Sequence, residues 1–210
     1  MTYSLMELAT LAGPMIWPLL ACFILAVTIT VERLVTLRAA SRGARRFLDD
    51  ISDAVRRNKI AEALGLCERH HGPLVEMVRG ALAKHGAGRE VMRQAIEDAG
   101  YKIIPKLEQH VPTLGTIASV APLLGLLGTV LGLIRCFQAV QAKEAALQPV
   151  GPADLANGMW QALLTTAVGL AITVLAIVAY NHCARRAHLM VREMEGSATE
   201  LLNLMMGEPL

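Results

Sequence analysis

Three stretches of this chain run without an Asp, Glu, Lys or Arg: residues 8–31, 111–134 and 155–182. Each exceeds the ~18 residues that mark a candidate membrane span. At 1.5 Å per residue, the run 111–134 would reach about 36 Å as a helix, enough to cross a hydrocarbon core of roughly 30 Å. Helices buried in soluble cores seldom continue so far without a charge, so the pattern predicts an all-α integral membrane protein with three spans. The middle run is crowded with small residues. Pro122, Gly125, Thr129 and Gly132 follow at steps of three, four and three, near one helical face. Small residues on a stripe let helix backbones approach closely where water supplies no driving force.

Between the first two runs the pattern changes to that of soluble helices. Phe47, Ile51, Ala54 and Val55 recur at helical spacing, followed by Ile60, Ala63, Leu64 and Cys67. Breaks are expected at His71-Gly72-Pro73 and Gly86-Ala87-Gly88. Leu74, Val75, Met77, Val78 and Leu82 form a face between them, and Val91, Met92, Ala95, Ile96 and Ala99 form another beyond. No period-2 strand occurs. This region is too small for a strong core of its own, so it is expected to extend the membrane helices and pack between subunits. Pro105 and Pro112 are expected to make an elbow before the second run. Residues 1–10 read as a short lead-in. Pro14 and Pro18 fall in the first turns of the first span, and Trp17 suits an outer interface. Asp154 is placed as an N-cap or first-turn residue of the third span. From His188 onward, mixed apolar spacing suggests an amphipathic helix that frays at Gly207.

Composition agrees: 54% of residues are hydrophobic, and the mean hydropathy is +0.44. The formal charge of +2 is too small to argue for nucleic acid. Its distribution is more informative. No Lys or Arg precedes Arg33, Lys143 stands alone in 140–154, and most basic residues fall in 38–110, with Arg185, Arg186 and Arg192 near the end. The positive-inside rule then places the N-terminus outside, 38–110 inside, 140–154 outside and the C-terminus inside. The first run lacks a basic n-region and a small-residue cleavage site, so it is expected to be an uncleaved anchor. Cys22, Cys67, Cys136 and Cys183 show no metal-ligand spacing and read as small apolar residues. His70 and His71, adjacent on a helix, point about 100° apart and suit a solvated turn better than a metal.

The spans carry no nucleophile–base pair and no phosphate loop, so no enzyme activity and no cofactor are expected. Gly125-Leu126-Leu127-Gly128 lies inside an apolar run and is packing, not a nucleotide cradle. What remains is a hydroxyl-and-amide lining: Thr129 from the second span, with Gln161, Thr165 and Thr166 from the third. Gly158, Ala162, Gly169 and Thr173 gather on the same side. A primary amide in hydrocarbon is costly unless paired, so Gln161 is expected to face a partner helix or water. At the inner boundary, Glu32 and Arg33 read as an interfacial pair with a snorkelling Arg. Intramembrane acids are the usual proton carriers, and this chain has none, so a partner is expected to supply one.

Ala121-Pro122-Leu-Leu-Gly-Leu-Leu-Gly-Thr129-Val-Leu-Gly, followed by Gln161-Ala-Leu-Leu-Thr-Thr166-Ala-Val-Gly-Leu and Ala179-Tyr180-Asn181, resembles the MotA/TolQ/ExbB proton channel family, and its three-span ExbB/TolQ branch best. The resemblance covers nearly the whole chain. It implies a homopentamer in the bacterial inner membrane around the single-span helices of an ExbD/TolR-like partner, with a TonB- or TolA-like protein downstream. It also implies a pore lined by Thr129 and Thr166, with Gln161, Thr165, Pro122, Gly125, Gly132 and Gly169 beside them. Where this chain has Gln161 the family commonly has Glu. Where it reads Thr173-Val174-Leu175 the family commonly has an Ala-Ile-Pro segment, so a straighter third helix is expected.

The resulting organisation is a periplasmic N-terminus and first span at 1–37, and a cytoplasmic helical region at 38–110. The second span lies at 111–140, a short periplasmic loop at 141–153, the third span at 154–184 and a cytoplasmic C-terminal helix at 185–210. The function implied is a channel or stator subunit that uses proton-motive force to power import, envelope maintenance or motility. The alternative, motivated by Gln161, is a non-conducting pentameric scaffold for a single-span partner.

Overall fold

The computed structural model describes residues 13–57 and 59–206, with backbone alone for 41–45 and 154. The lead-in expected at 1–10 and the fraying at Gly207 lie outside them. Among the described residues all regular structure is helical: α1 Ile16–Arg56, α2 Ile60–Arg69, α3 Pro73–Leu82, α4 Arg89–Glu108, α5 Val111–Ala145 and α6 Pro152–Met206. Also among these residues, three helical stretches are long and apolar enough to cross a membrane, within Ile16–Ala40, Arg89–Ala145 and Leu155–Met206.

Helix ends follow local chemistry. Pro73 opens α3 and Pro152 opens α6, where a missing amide N–H costs nothing because the first turn has no acceptor for it. The expected elbow before α5 falls between its two prolines. Pro105 is accommodated inside α4, and the chain turns at Gln109 and His110, the latter in the left-handed region at φ 62°. Pro112 then sits in the first turn of α5. At its other end α5 closes with a Schellman arrangement. Gln148 N–H donates to Lys143 O at 2.9 Å, and Leu147 N–H to Glu144 O at 3.0 Å. Leu147 takes the left-handed position usually held by Gly, with φ 53°. The second helix thus runs to Ala145, beyond the expected 140, and the connection narrows to residues 146–151. Asp154 is the third residue of α6, in its first turn.

The third span and the C-terminal helix, separated at 184/185 in the sequence expectation, are one uninterrupted helix of 55 residues. Nothing between Asn181 and Ala187 breaks helix geometry, and the apolar positions Ala176, Cys183, Ala187, Met190, Met194, Ala198 and Leu201 stay buried along it. The helix is about 80 Å long at the standard rise.

The chain divides into two compact units. One comprises residues up to Thr30 together with His110–Asn181, and the other Val31–Gln109 together with residues from His182 onward. In the second unit, Phe47 and Ile51 of α1, Cys67 of α2, Leu74, Val78 and Leu82 of α3, Met92 and Ile103 of α4, and Met194 and Leu201 of α6 share one apolar core. The region expected to lack a strong core therefore builds one, because the ends of α1 and α6 return to it. His70 belongs to this packing too. Its ring lies 5.5 Å from that of Phe47, and its Nδ1 is 3.1 Å from Leu66 O.

Candidate functional site

In the first unit α5 and α6 run against each other along a seam with a seven-residue repeat. On α5 the buried positions include Val111, Leu114, Ala118, Ala121, Gly125, Gly128 and Gly132, at alternating steps of three and four, with Ile117 and Cys136 buried besides. On α6 they are Ala162, Thr165, Gly169, Ile172 and Ala176, at the same alternation. This spacing is that of coiled-coil packing, and the residues along it are small.

The seam is close enough that backbone meets backbone. A Cβ added at Gly125 would lie 3.2 Å from Thr166 Cα, and one at Gly169 only 2.8 Å from the Ala121 carbonyl oxygen. At Gly132 it would meet Ala162 Cβ at 2.9 Å, and at Gly158 it would meet Cys136 Cβ at 2.7 Å. Thr165 fills the space above Gly128: a Cβ there would be 2.4 Å from Thr165 Oγ1. The Thr165 side chain is fully buried, and its hydroxyl donates back to Ala162 O at 2.9 Å.

This geometry divides the candidate residues into two groups. Gly125, Gly132, Gly169 and Thr165 are seam residues, packed inside the chain itself and forming no open surface of it. Pro122, Thr129 and Thr166 each follow a seam position by one residue, a turn of about 100°, and are half-buried on its shoulder. The stripe of Pro122, Gly125, Thr129 and Gly132 drawn from the sequence mixed the two, because it took the steps of three and four in the opposite phase, so that Pro122 and Thr129 fall one residue past the seam positions Ala121 and Gly128. Gly128, Gly158, Ala162 and Cys136 complete the seam. Of these, the sequence pointed to Gly128 as packing and to Gly158 and Ala162 as small residues on one side of the third span, whereas Cys136 read only as a small apolar residue.

The shoulder hydroxyls differ in their bonding. Thr166 Oγ1 donates across the seam to Gly125 O at 3.0 Å. Thr129 Oγ1 donates within its own helix to Leu126 O at 2.6 Å. Thr173 does likewise to Gly169 O at 2.8 Å. Each hydroxyl oxygen keeps acceptor capacity.

Gln161 is half-buried and sits elsewhere. Its Nε2 packs against Gly13, where a Cβ would lie only 1.7 Å away, and Arg135 Nη1 would be 2.7 Å from the same point. The amide is therefore crowded against the turn before α1, and the Arg135 guanidinium of α5 approaches the same glycine. Neither Gly13 nor Arg135 was linked to Gln161 by any sequence spacing.

Glu32 and Arg33, in the second unit, are paired at 2.5 Å, but Arg33 does not snorkel. Its side chain is only 5% exposed, against 43% for that of Glu32. The reason is its register: Leu19, Ala26, Ile29, Arg33 and Leu37 lie on one buried face of α1.

Outside the seam these helices present hydrocarbon. Leu123, Leu126, Leu127, Val130, Leu133 and Ile134 of α5 are exposed, as are Leu163, Leu170, Val174, Leu175 and Val178 of α6 and Ile24, Val27 and Val31 of α1. Exposed apolar surface on this scale belongs in lipid or against other membrane helices.

Residues 69–196 match the MotA/TolQ/ExbB proton channel family. The chain is 33% identical over 184 residues to the Tol-Pal system protein TolQ of Haemophilus influenzae, covering 81% of this chain and 78% of that protein. It is also 33% identical over 180 residues to the biopolymer transport protein exbB1 of Vibrio cholerae, covering 83% of this chain and 76% of that one.

Proposed function

Because the chain belongs to the MotA/TolQ/ExbB proton channel family, we propose that it is the channel or stator subunit of an inner-membrane transducer driven by proton-motive force. In this proposal five copies surround an ExbD/TolR-like single-span partner whose acid carries the proton. The N-terminus is periplasmic and the C-terminus cytoplasmic, as the Lys and Arg distribution favours. The transmitted force reaches the envelope through a TonB- or TolA-like protein.

One observation carries this proposal. The seam locks α5 and α6 into a rigid pair while leaving the Thr129 and Thr166 shoulder half-buried, with a hydroxyl on each helix. No acid stands in any of the chain's apolar runs. Such a wall can offer hydroxyls to a proton carrier but cannot itself be one. The seam glycines act by positioning: they hold the two hydroxyl-bearing backbones together.

The specific support for the scaffold alternative is Gln161, an amide where the family commonly has Glu, packed against Gly13 within its own chain. Purification from membranes, with identification of whatever co-purifies, separates the two. The channel proposal expects a single-span protein with an Asp in its span, and an assembled Thr129→Ala/Thr166→Ala variant that loses at least tenfold in energised activity. Wild-type activity in that double variant removes the pore assignment and leaves the scaffold.

A further inference from the structure

Arg33 is buried in the second unit with its charge paired but one of its N–H donors unmatched. Nη2 pairs with Glu32 Oε1 at 2.5 Å. Nη1 reaches the carbonyl oxygen of Lys106, in the last turn of α4, at 3.5 Å. Nε is enclosed and has no protein partner. Lys106 turns its own ammonium the other way, towards Glu76 Oε2 at 3.7 Å.

We propose that Arg33 holds a single internal water on its Nε–H, and that guanidinium and water together pin the last turn of α4 to α1. A guanidinium has five N–H donors. A buried donor left without an acceptor costs more than a satisfied one contributes. The Nη1–Lys106 separation is long for an N–H···O bond, which leaves that carbonyl with lone-pair capacity for a second donor. The carbonyls at a helix C-terminus want donors, and a cation there is favoured by the helix dipole. A water accepting from Nε and donating to the end of α4 satisfies both sides. An anion fits worse, since Glu32 already neutralises the charge and a lipid phosphate has no way to an enclosed Nε. With Glu32 43% exposed, the pair adds little net stability, and the buried guanidinium serves better to set register. Here the register set is that of α1 against the end of α4.

The test uses the unmodified protein in lipid bilayers, labelled with ¹⁵N arginine and carbonyl-¹³C lysine. Dipolar recoupling by solid-state NMR should find one guanidinium roughly 4 Å from a lysine carbonyl carbon, the 3.5 Å contact lengthened by the carbonyl bond. In water-edited spectra the Nε of that same arginine should receive magnetisation from water, yet exchange its proton roughly a hundredfold more slowly than exposed arginines. If no guanidinium is near a lysine carbonyl, the pinning is wrong. If that Nε gets no transfer from water, or exchanges as fast as the exposed ones, the internal water is wrong.

Discussion

Thr166 donates its hydroxyl to the carbonyl oxygen of Gly125, 3.0 Å away on the neighbouring helix. This bond crosses between two helices whose other shoulder hydroxyls, Thr129 and Thr173, turn back onto their own backbones. Thr166→Ser keeps the donor and should leave stability within about 0.5 kcal/mol, whereas Thr166→Val removes it at near-constant volume. Interhelical bonds in membranes average about 0.6 kcal/mol, so a loss of about 0.5–1.5 kcal/mol is expected for the Val variant. Thermal unfolding in detergent reads the difference, and equal stability for both variants would show the bond to be idle.

Two glycines of α6 should respond to alanine in opposite directions. At Gly169 the new methyl meets the Ala121 carbonyl at 2.8 Å, so backbone must move, and Gly169→Ala should cost about 1–3 kcal/mol. At Gly196 nothing lies within 4 Å, and Gly196→Ala should instead stabilise the helix by about 0.5–1 kcal/mol. The same unfolding measurement checks both. Equal and small effects would contradict the close seam.

Burial pushes the Cys67 thiol up to about 11, despite the opposing charge of Arg79. Its folded pKa is therefore above the unfolded value near 9.0. The neutral thiol's contribution to stability is fully present below pH 9 and is lost as pH rises through 11. Unfolding of the wild type should weaken over that window more steeply than that of Cys67→Ala. Parallel pH profiles for the two proteins would refute the assignment.

Gln161→Glu should assemble normally, because Arg135 is positioned to meet a carboxylate there as it now adjoins the amide. The variant is expected to gain a pH dependence of energised activity that the wild type lacks. Size-exclusion chromatography and activity against pH decide the matter. Loss of assembly would show that the contact with Gly13 tolerates only the amide.

Three membrane helices, the helical character of everything between them and the family were all legible in the chain, since uncharged runs, 3.6-residue periodicity and the Thr-bearing motifs are local. The sorting of small residues was not legible. A stripe of Gly, Pro and Thr looks alike whether it meets a helix of its own chain or another surface, and one residue's step along a helix changes the answer by about 100°.

Sequence by itself determined where apolar surface is unavoidable, hence the spans, and which polar groups must find partners. Tertiary structure decided which partners those are. It put Gly125, Gly132, Gly169 and Thr165 into a seam within the chain and left Pro122, Thr129 and Thr166 on its shoulder. It packed Gln161 against Gly13, and it drew Arg33 inward against the end of α4. The physical reason is that burial is a property of pairs of surfaces. A residue's chemistry states the cost of burying it, and only the helix packed opposite settles whether it is buried.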